Sequence, residues 1–158
     1  MIAYINALPP DQKQRILAEI AKHVISSSRD SVSFDIPSLL GSPLLNSALS
    51  ETLRMEFRGL SARGVSQQTS ININNHVYTL EKDSMVFLAM SCVHKDPGIY
   101  TNPEKYQVHR YEEWWRGKLQ GDDDSKSSFY KNGVPLKHPL MPWGGGYYMV
   151  HPTPPPTS

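Results

Sequence analysis

The sequence is short of cysteine, of net charge and of long apolar runs, and each shortage excludes a class of protein. Cys92 is the single cysteine, so the chain cannot form an internal disulfide, which favours a reducing compartment. The formal net charge of +1 provides no strong field to attract nucleic acid or an anionic membrane surface. No apolar run reaches membrane-spanning length, and the first residues lack a signal-peptide pattern. We therefore expect a soluble, cytoplasmic protein with no nucleic-acid or membrane partner.

Several signatures of familiar chemistry are also missing. The sequence contains no zinc-ligand spacing, no phosphate-binding glycine loop and no serine-centred elbow. It offers no nucleophile or acid–base pair that the residue pattern alone identifies. We therefore expect no metal site and no cofactor.

What the sequence does contain is a charged pair on a predicted helix. Glu51 and Arg54 lie three residues apart, so their side chains leave the same helical face. Around them runs an apolar stripe at helical spacing: Leu45, Ala48, Leu49, Thr52 and Leu53. Taken alone, such a pair is usually a solvated ion pair that contributes little stability.

Two further motifs give this pair another meaning. Asn102–Tyr111 resembles the D-P-x-x-F-x-P-x-R-F segment of cytochrome P-450 haem-thiolate monooxygenases, and Met141–Gly146 resembles the start of their haem-binding loop. Both follow an E-x-x-R helix in the order seen in that family. The resemblance implies that Arg110 joins Glu51 and Arg54 in a structural charged triad. It covers about the C-terminal third of such an enzyme.

The chain departs from the family pattern in the haem loop, which should read F-x-x-G-x-R-x-C-x-G. Tyr148 stands at the basic position, Val150 at the cysteine and Pro152 at the last glycine. Valine has no lone pair to offer iron, whereas the family's ligand is a cysteine thiolate. The resemblance therefore implies the family's fold without its oxygen chemistry.

The predicted fold is α+β. We expect a single domain over residues 1–150, with helices followed by a small antiparallel sheet and an irregular end, and a proline-rich tail over 151–158. The predicted elements are a helix over Gln12–Ile25, a loop over Ser26–Ser31, an apolar turn over Ile36–Leu40, a hairpin of Ser70–Asn74 and His76–Leu80 turning at Asn74–Asn75, a buried strand over Met85–Met90, a short helix over Ser91–His94 and a mobile loop at Asp122–Ser128.

The candidate site residues come mainly from the resemblance. Phe57, Ala62 and Arg63 belong to the stretch that passes beneath the substrate in the family. Arg63, His94, Tyr148 and His151 are the candidate catalytic donors, and Phe57, Ala62, Trp143 and Tyr147 the candidate substrate-binding residues. Trp143, Tyr147 and Tyr148 either fill the space vacated by haem or line an apolar pocket. His151 is also the residue through which residual haem binding could occur.

Three functions remain open at this point. The first is a haem-free, cofactor-independent enzyme of fungal-type specialised metabolism, which cyclises or rearranges a hydrophobic, terpenoid-like substrate, for example by a Diels–Alder closure. The second is a non-catalytic module that binds a full-length monooxygenase or its reductase. The third is a decayed gene product. Because the resemblance leaves out most of the parent fold, exposed apolar surface should need covering, and we expect a homodimer.

Overall fold

The computed structural model describes residues 1–121, 129–136 and 138–142. Within these ranges the chain is α+β, as predicted, with six helices and four separate two-stranded antiparallel sheets. The helices are α1 (Ile2–Asn6), α2 (Pro10–Ala21), α3 (Ile36–Leu40), α4 (Pro43–Glu56), α5 (Met90–His94) and α6 (Glu112–Leu119). The strands are β1 (Val24–Ser27), β2 (Val32–Phe34), β3 (Leu60–Gly64), β4 (Thr69–Ile73), β5 (His76–Leu80), β6 (Met85–Ala89), β7 (Tyr130–Lys131) and β8 (Val134–Pro135). The predicted mobile loop at 122–128 and the proline-rich tail at 151–158 lie outside the described residues.

The first third of the chain differs from the prediction in three places. Helix α2 begins with Pro10 at its first turn and ends at Ala21, four residues before the expected Ile25. The reason is that β1 pairs antiparallel with β2, so Ser26 and Ser27 of the expected loop are strand and Ser28–Ser31 connect the two strands. The expected turn at Ile36–Leu40 is helix α3, because the Asp35 side chain caps it by accepting a hydrogen bond from the Ser38 amide.

Helix α4 is the element on which the rest of the chain packs. Ser42 caps its start and Pro43 occupies its first turn. The predicted apolar stripe is only part of its buried face, since Leu49 is 48% exposed. The buried positions are Leu44, Ser47, Ala48, Ser50, Glu51 and Arg54. The face is therefore largely polar, and it is stable because its polar groups find partners.

Two small apolar clusters lie on either side of this helix. Ile16 of α2 packs with Leu44, Ala48 and Val108 in the first cluster. Tyr100, Tyr111 and Phe129 form the second. Together the clusters fasten the segment 99–111 between α4 and the described residues near the C-terminus.

The middle of the chain forms two hairpin-like sheets. The β4–β5 hairpin is confirmed, and its turn residues Asn74 and Asn75 have φ values of 52° and 65°, as a tight hairpin turn requires. The expectation of a buried strand at 85–90 is wrong: β6 pairs with β3, but Met85 and Phe87 are 55% and 59% exposed. Neither face of this two-stranded sheet is fully covered by the elements that the structure describes. No helix in the described ranges has both the length and the apolar character needed to cross a membrane.

Candidate functional site

The structure brings Glu51, Arg54 and Arg110 together in one buried ionic network. Arg54 donates from Nε to Glu51 Oε2 at 2.8 Å and from Nη2 to Oε1 at 2.9 Å. Arg110 donates from Nε to both carboxylate oxygens at 3.0 Å. The side chains of Glu51 and Arg54 are fully buried and that of Arg110 is 5% exposed. One carboxylate therefore holds two guanidinium groups out of water.

Neighbouring groups satisfy the excess positive charge. Arg54 Nη1 donates to the carbonyl of His94 at 2.7 Å, and Arg110 Nη1 donates to the carbonyl of Thr101 at 2.8 Å. The Tyr100 ring has both guanidinium groups near it, with the Cζ atoms of Arg54 and Arg110 at 5.0 and 5.7 Å from its centroid. The second guanidinium group thus has neutral acceptors and an aromatic ring around it, and the arrangement serves to hold α4 against the segment 99–110.

Tyr100 is the residue of this network that the sequence interpretation missed. Its hydroxyl donates to the carbonyl of Pro139 and accepts from the Tyr111 hydroxyl at 3.1 Å. Burial raises the pKa of the Tyr100 hydroxyl, and burial likewise raises that of Tyr111. The available signal was an aromatic residue directly before the arginine-bearing motif, but nothing local shows that two arginines will lie against it.

His94, a predicted catalytic donor, is fully buried at the end of α5. Its Nε2 accepts a hydrogen bond from the backbone amide of Met141 at 3.0 Å. Burial, and then the positive charge of Arg54, lower the pKa of His94 to about 4. The ring is therefore neutral at physiological pH and is engaged with the backbone.

The other predicted residues of the described part lie along β3. Ala62 and Arg63 are neighbours in one strand, so their side chains leave opposite faces of the sheet. Ala62 is paired with Phe87, which puts both on one face with Leu60 and Met85; we call these four residues the β3–β6 face. Leu60 and Phe87 are each 59% exposed there. The face is an open apolar surface of the described chain.

Phe57, also a predicted substrate-binding residue, has a different environment. It is half-buried and follows the last residue of α4. Its ring lies directly over Gly59, where a Cβ atom would overlap it, and 5.9 Å from the ring of His94. The predicted residues Trp143, Tyr147, Tyr148 and His151 lie outside the described residues.

A charged cleft of about 330 Å³ lies elsewhere, and none of the predicted site residues lines it. It is formed by Arg15, Ala18, Glu19, Lys22, Pro43, Leu44, Glu112 and Arg116. Arg15 and Arg116 both bind Glu112 Oε1, at 2.9 and 3.2 Å, and Lys22 binds Glu19 at 2.7 Å. Since its cations are already paired with carboxylates, the cleft has little to offer a charged ligand.

Comparison with known proteins matches the sequence that forms this network to one family. The cytochrome P450 family model matches residues 4–130, which contain the whole ionic network. The chain belongs to the cytochrome P450 family. This cytochrome P450 chain is 30% identical to cholesterol 7-alpha-monooxygenase of Cricetulus griseus over 77% of its length and 23% of the relative's. It is 33% identical to prostacyclin synthase of Rattus norvegicus over 66% of its length and 20% of that protein. The chain thus spans about a quarter or less of these two curated relatives.

Haem is the cofactor that this family implies, and the donors present do not fit a thiolate-ligated haem. The only cysteine of this cytochrome P450 chain is Cys92, an exposed residue of α5. Among the described residues, no group of histidine, cysteine, aspartate or glutamate side chains could hold a metal ion. In the loop where the resemblance places the ligand, the sequence has Val150.

Proposed function

We propose that this cytochrome P450-family chain works without a thiolate-ligated haem and acts as a cyclase of fungal-type specialised metabolism. The single observation that carries the proposal is the place of Cys92, which is exposed on α5 and far along the chain from the loop that should supply the ligand. Without that thiolate, the family's monooxygenase chemistry lacks its axial ligand. A retained fold then has to act through binding alone.

The β3–β6 face supports a hydrophobic substrate. Leu60, Met85 and Phe87 present more than half of their surface to solvent on this face. Apolar surface of this kind is a common mark of a ligand or partner site. Two relatives carry steroid substrates in their names, cholesterol 7-alpha-monooxygenase and the 5-beta-cholestane-3-alpha,7-alpha-diol 12-alpha-hydroxylase of Sus scrofa, which is 29% identical over 91% of this chain and 28% of that protein. These relatives support a polycyclic or terpenoid-like molecule as the proposed substrate.

The reaction class we favour needs no cofactor. In a Diels–Alder closure, the three π bonds of a diene and an alkene are lost while two σ bonds and one new π bond form, so no atom or electron is gained or lost. Holding the substrate in its reactive conformer lowers the entropic part of the barrier. A donor to a substrate carbonyl would add electrostatic stabilisation. Of the predicted donors that the structure describes, His94 is buried and Arg63 leaves the opposite face of β3 from Ala62. Neither lies on the β3–β6 face, so the proposed catalysis rests on holding the substrate in its reactive conformer.

The experiment is a conversion assay with purified protein and linear polyunsaturated precursors that cyclise slowly on their own. We expect cyclised product above the uncatalysed rate, and a loss of about tenfold in Phe87→Ser, because the face loses its largest apolar side chain. Leu119→Ser, at an exposed apolar position on α6, is the matched control. Conversion at the uncatalysed rate for every precursor would remove the cyclase proposal. A Soret band that titrates to one haem per chain on adding haemin would remove the haem-free part.

The exposed apolar surface also favours a second function, a non-catalytic module that binds a full-length monooxygenase or its reductase. Apolar side chains are exposed on β4–β5 as well, where Ile73 and Val77 are 50% and 69% exposed. Exposed apolar side chains on two sheets offer more area than a small substrate needs. Stable co-purification with such an enzyme, together with no conversion of any precursor, would support this function over the cyclase.

A further inference from the structure

His94 connects two parts of the molecule that are far apart in sequence. On one side, its backbone carbonyl accepts from Arg54 Nη1 at 2.7 Å, within the buried ionic network. On the other side, its ring Nε2 accepts from the amide of Met141 at 3.0 Å. One residue therefore fastens both the central helix and the backbone immediately before Trp143.

The geometry determines the form of the imidazole ring. Because Nε2 accepts from a backbone N–H, that nitrogen carries a lone pair, and in the neutral ring the proton is on Nδ1. Nδ1 is buried and has no hydrogen-bond partner among the described residues. A buried donor without an acceptor is costly, so this tautomer persists only if the Nε2 bond requires it.

The surroundings exclude the protonated ring. Arg54 of α4 contributes a positive charge beside it, and its partner Glu51 is saturated by two guanidinium groups. Tyr100 faces the same network with a neutral hydroxyl, and Phe57 packs against the ring at 5.9 Å. No carboxylate among the described residues is left to balance a second cation here.

We propose that His94 is a positioning residue: as the neutral Nδ1–H tautomer, it ties the segment 138–142 to the Glu51–Arg54 pair and so fixes the position of that backbone segment. This assigns His94 a role distinct from proton donation to a substrate. It does not depend on the cyclase proposal, because the link lies within the chain itself. Tyr100 supports the same segment through the carbonyl of Pro139, so His94 secures its second anchoring point.

The first test uses the unmodified chain. In ¹⁵N NMR of the histidine rings at neutral pH, we expect His94 to show a protonated Nδ1 and an unprotonated Nε2 coupled to the Met141 amide. A ring with its proton on Nε2, or one that interconverts between tautomers, would overturn the proposal. This readout requires no variant to fold.

The second test separates positioning from general packing. His94→Leu removes the acceptor but keeps apolar volume, whereas the amide oxygen of His94→Gln reaches about the place of Nε2. We expect Met141 amide exchange to accelerate about tenfold in His94→Leu and to stay within about threefold of the parent in His94→Gln, as loss of one buried hydrogen bond predicts. The internal control is the Asp35 amide, which donates to the carbonyl of His23 at 2.8 Å near the β1–β2 pair. Its exchange should be the same in His94→Leu as in the parent. Unchanged Met141 exchange in His94→Leu, or equal acceleration at Asp35, would contradict the proposal.

Discussion

Glu51 lies between two arginines, and its single negative charge keeps both of them buried. Replacing it by glutamine keeps its size but leaves Arg54 and Arg110, 0% and 5% exposed, without a counter-charge. We expect Glu51→Gln to lower the free energy of unfolding by about 3–5 kcal/mol, the usual result of breaking a buried ion pair on one side. Urea denaturation followed by circular dichroism measures the change.

The matched control is Glu113→Gln. Glu113 is also an acid beside an arginine, but its side chain is 78% exposed and lies 3.9 Å from Arg116. A surface pair contributes at most about 1 kcal/mol, so this variant should unfold close to the parent. Similar losses in both variants would mean that burial does not decide the strength of the network.

His94 also predicts how stability depends on pH. Its pKa is about 4 in the folded chain and 6.5 in its ordinary state, so between these values the unfolded chain binds more protons than the folded one. This contribution is intact above pH 6.5 and is lost progressively as the pH falls toward 4. The loss amounts to about 3 kcal/mol, at roughly 1.4 kcal/mol per pKa unit.

The measurement is a series of urea denaturations across that pH window. The side chain of His94→Gln cannot titrate. The slope of unfolding free energy against pH should therefore be shallower in this variant, because the unfolded chain no longer binds an extra proton at this position. Thr79→Ser, at an exposed position on β5, is the control and should keep the parent slope because it removes no titratable group. A parent slope that survives in His94→Gln would assign the pH dependence to another group.

At the scale of elements, α4 holds the segment 106–115 with a row of polar contacts. Ser47 Oγ donates to the carbonyl of Val108 at 2.6 Å and accepts from the Tyr111 amide at 3.0 Å. One turn on, Ser50 Oγ accepts from Trp115 Nε1 at 2.8 Å. These serines occupy positions where an amphipathic helix usually has apolar residues.

Ser47→Ala should therefore cost more than the loss of one hydroxyl implies. It leaves a buried carbonyl and a buried amide without partners, which predicts a loss of about 2–4 kcal/mol of unfolding free energy. Thermal unfolding by calorimetry checks it, with Ser70→Ala on the exposed face of β4 as the control. A change below about 0.5 kcal/mol would show that water replaces Ser47 at this interface.

Features that depend on residues close together in the sequence were predicted better than features that depend on distant residues. The Asn74–Asn75 turn and the helix around Glu51 depend on neighbours within a few residues, and both were predicted correctly. The β1–β2 pairing was missed because serine-rich strands carry no apolar alternation. The burial of β6 was predicted wrongly. An apolar run shows only that a strand is suited to burial, and the residues that would bury it are not part of the strand's own sequence.

The candidate site likewise has residues that the sequence predicted and residues that it did not. A family motif placed Glu51, Arg54 and Arg110 in one network, although Arg110 lies far along the chain from the other two. The part of Tyr100 in that network was not visible, because a cation–π contact depends on where rings and guanidinium groups meet in space. The hydrogen bond from the Met141 amide to His94 could not be predicted for the same reason, because the sequence does not show which backbone amide a side chain will bind.

At the scale of the whole molecule, the β3–β6 face predicts self-association. Leu60, Met85 and Phe87 are exposed together on a sheet whose outer edges also remain unpaired in the described structure. A second copy of the chain is the alternative to a substrate as the occupant of this face, and it would cover the face as the expected homodimer requires. We expect a dimer at micromolar concentration and a shift of about tenfold in its dissociation constant in Phe87→Ser, which removes one large apolar contact.

Sedimentation equilibrium distinguishes the outcomes. Leu119→Ser, on α6, should dimerise like the parent because its exposed side chain lies on another element. A parent chain that stays monomeric would remove the dimer proposal and leave the face to a substrate or to another protein.

The polar face of α4 has a thermal consequence. Exposing apolar surface raises the heat capacity on unfolding, and exposing polar surface lowers it. A chain whose central contact is made by serines, a carboxylate and two guanidinium groups should therefore unfold with an unusually small heat-capacity increment. The plot of its unfolding free energy against temperature would be correspondingly flat. Cooling would therefore destabilise this protein less than a protein of equal size whose core is built from leucine and phenylalanine.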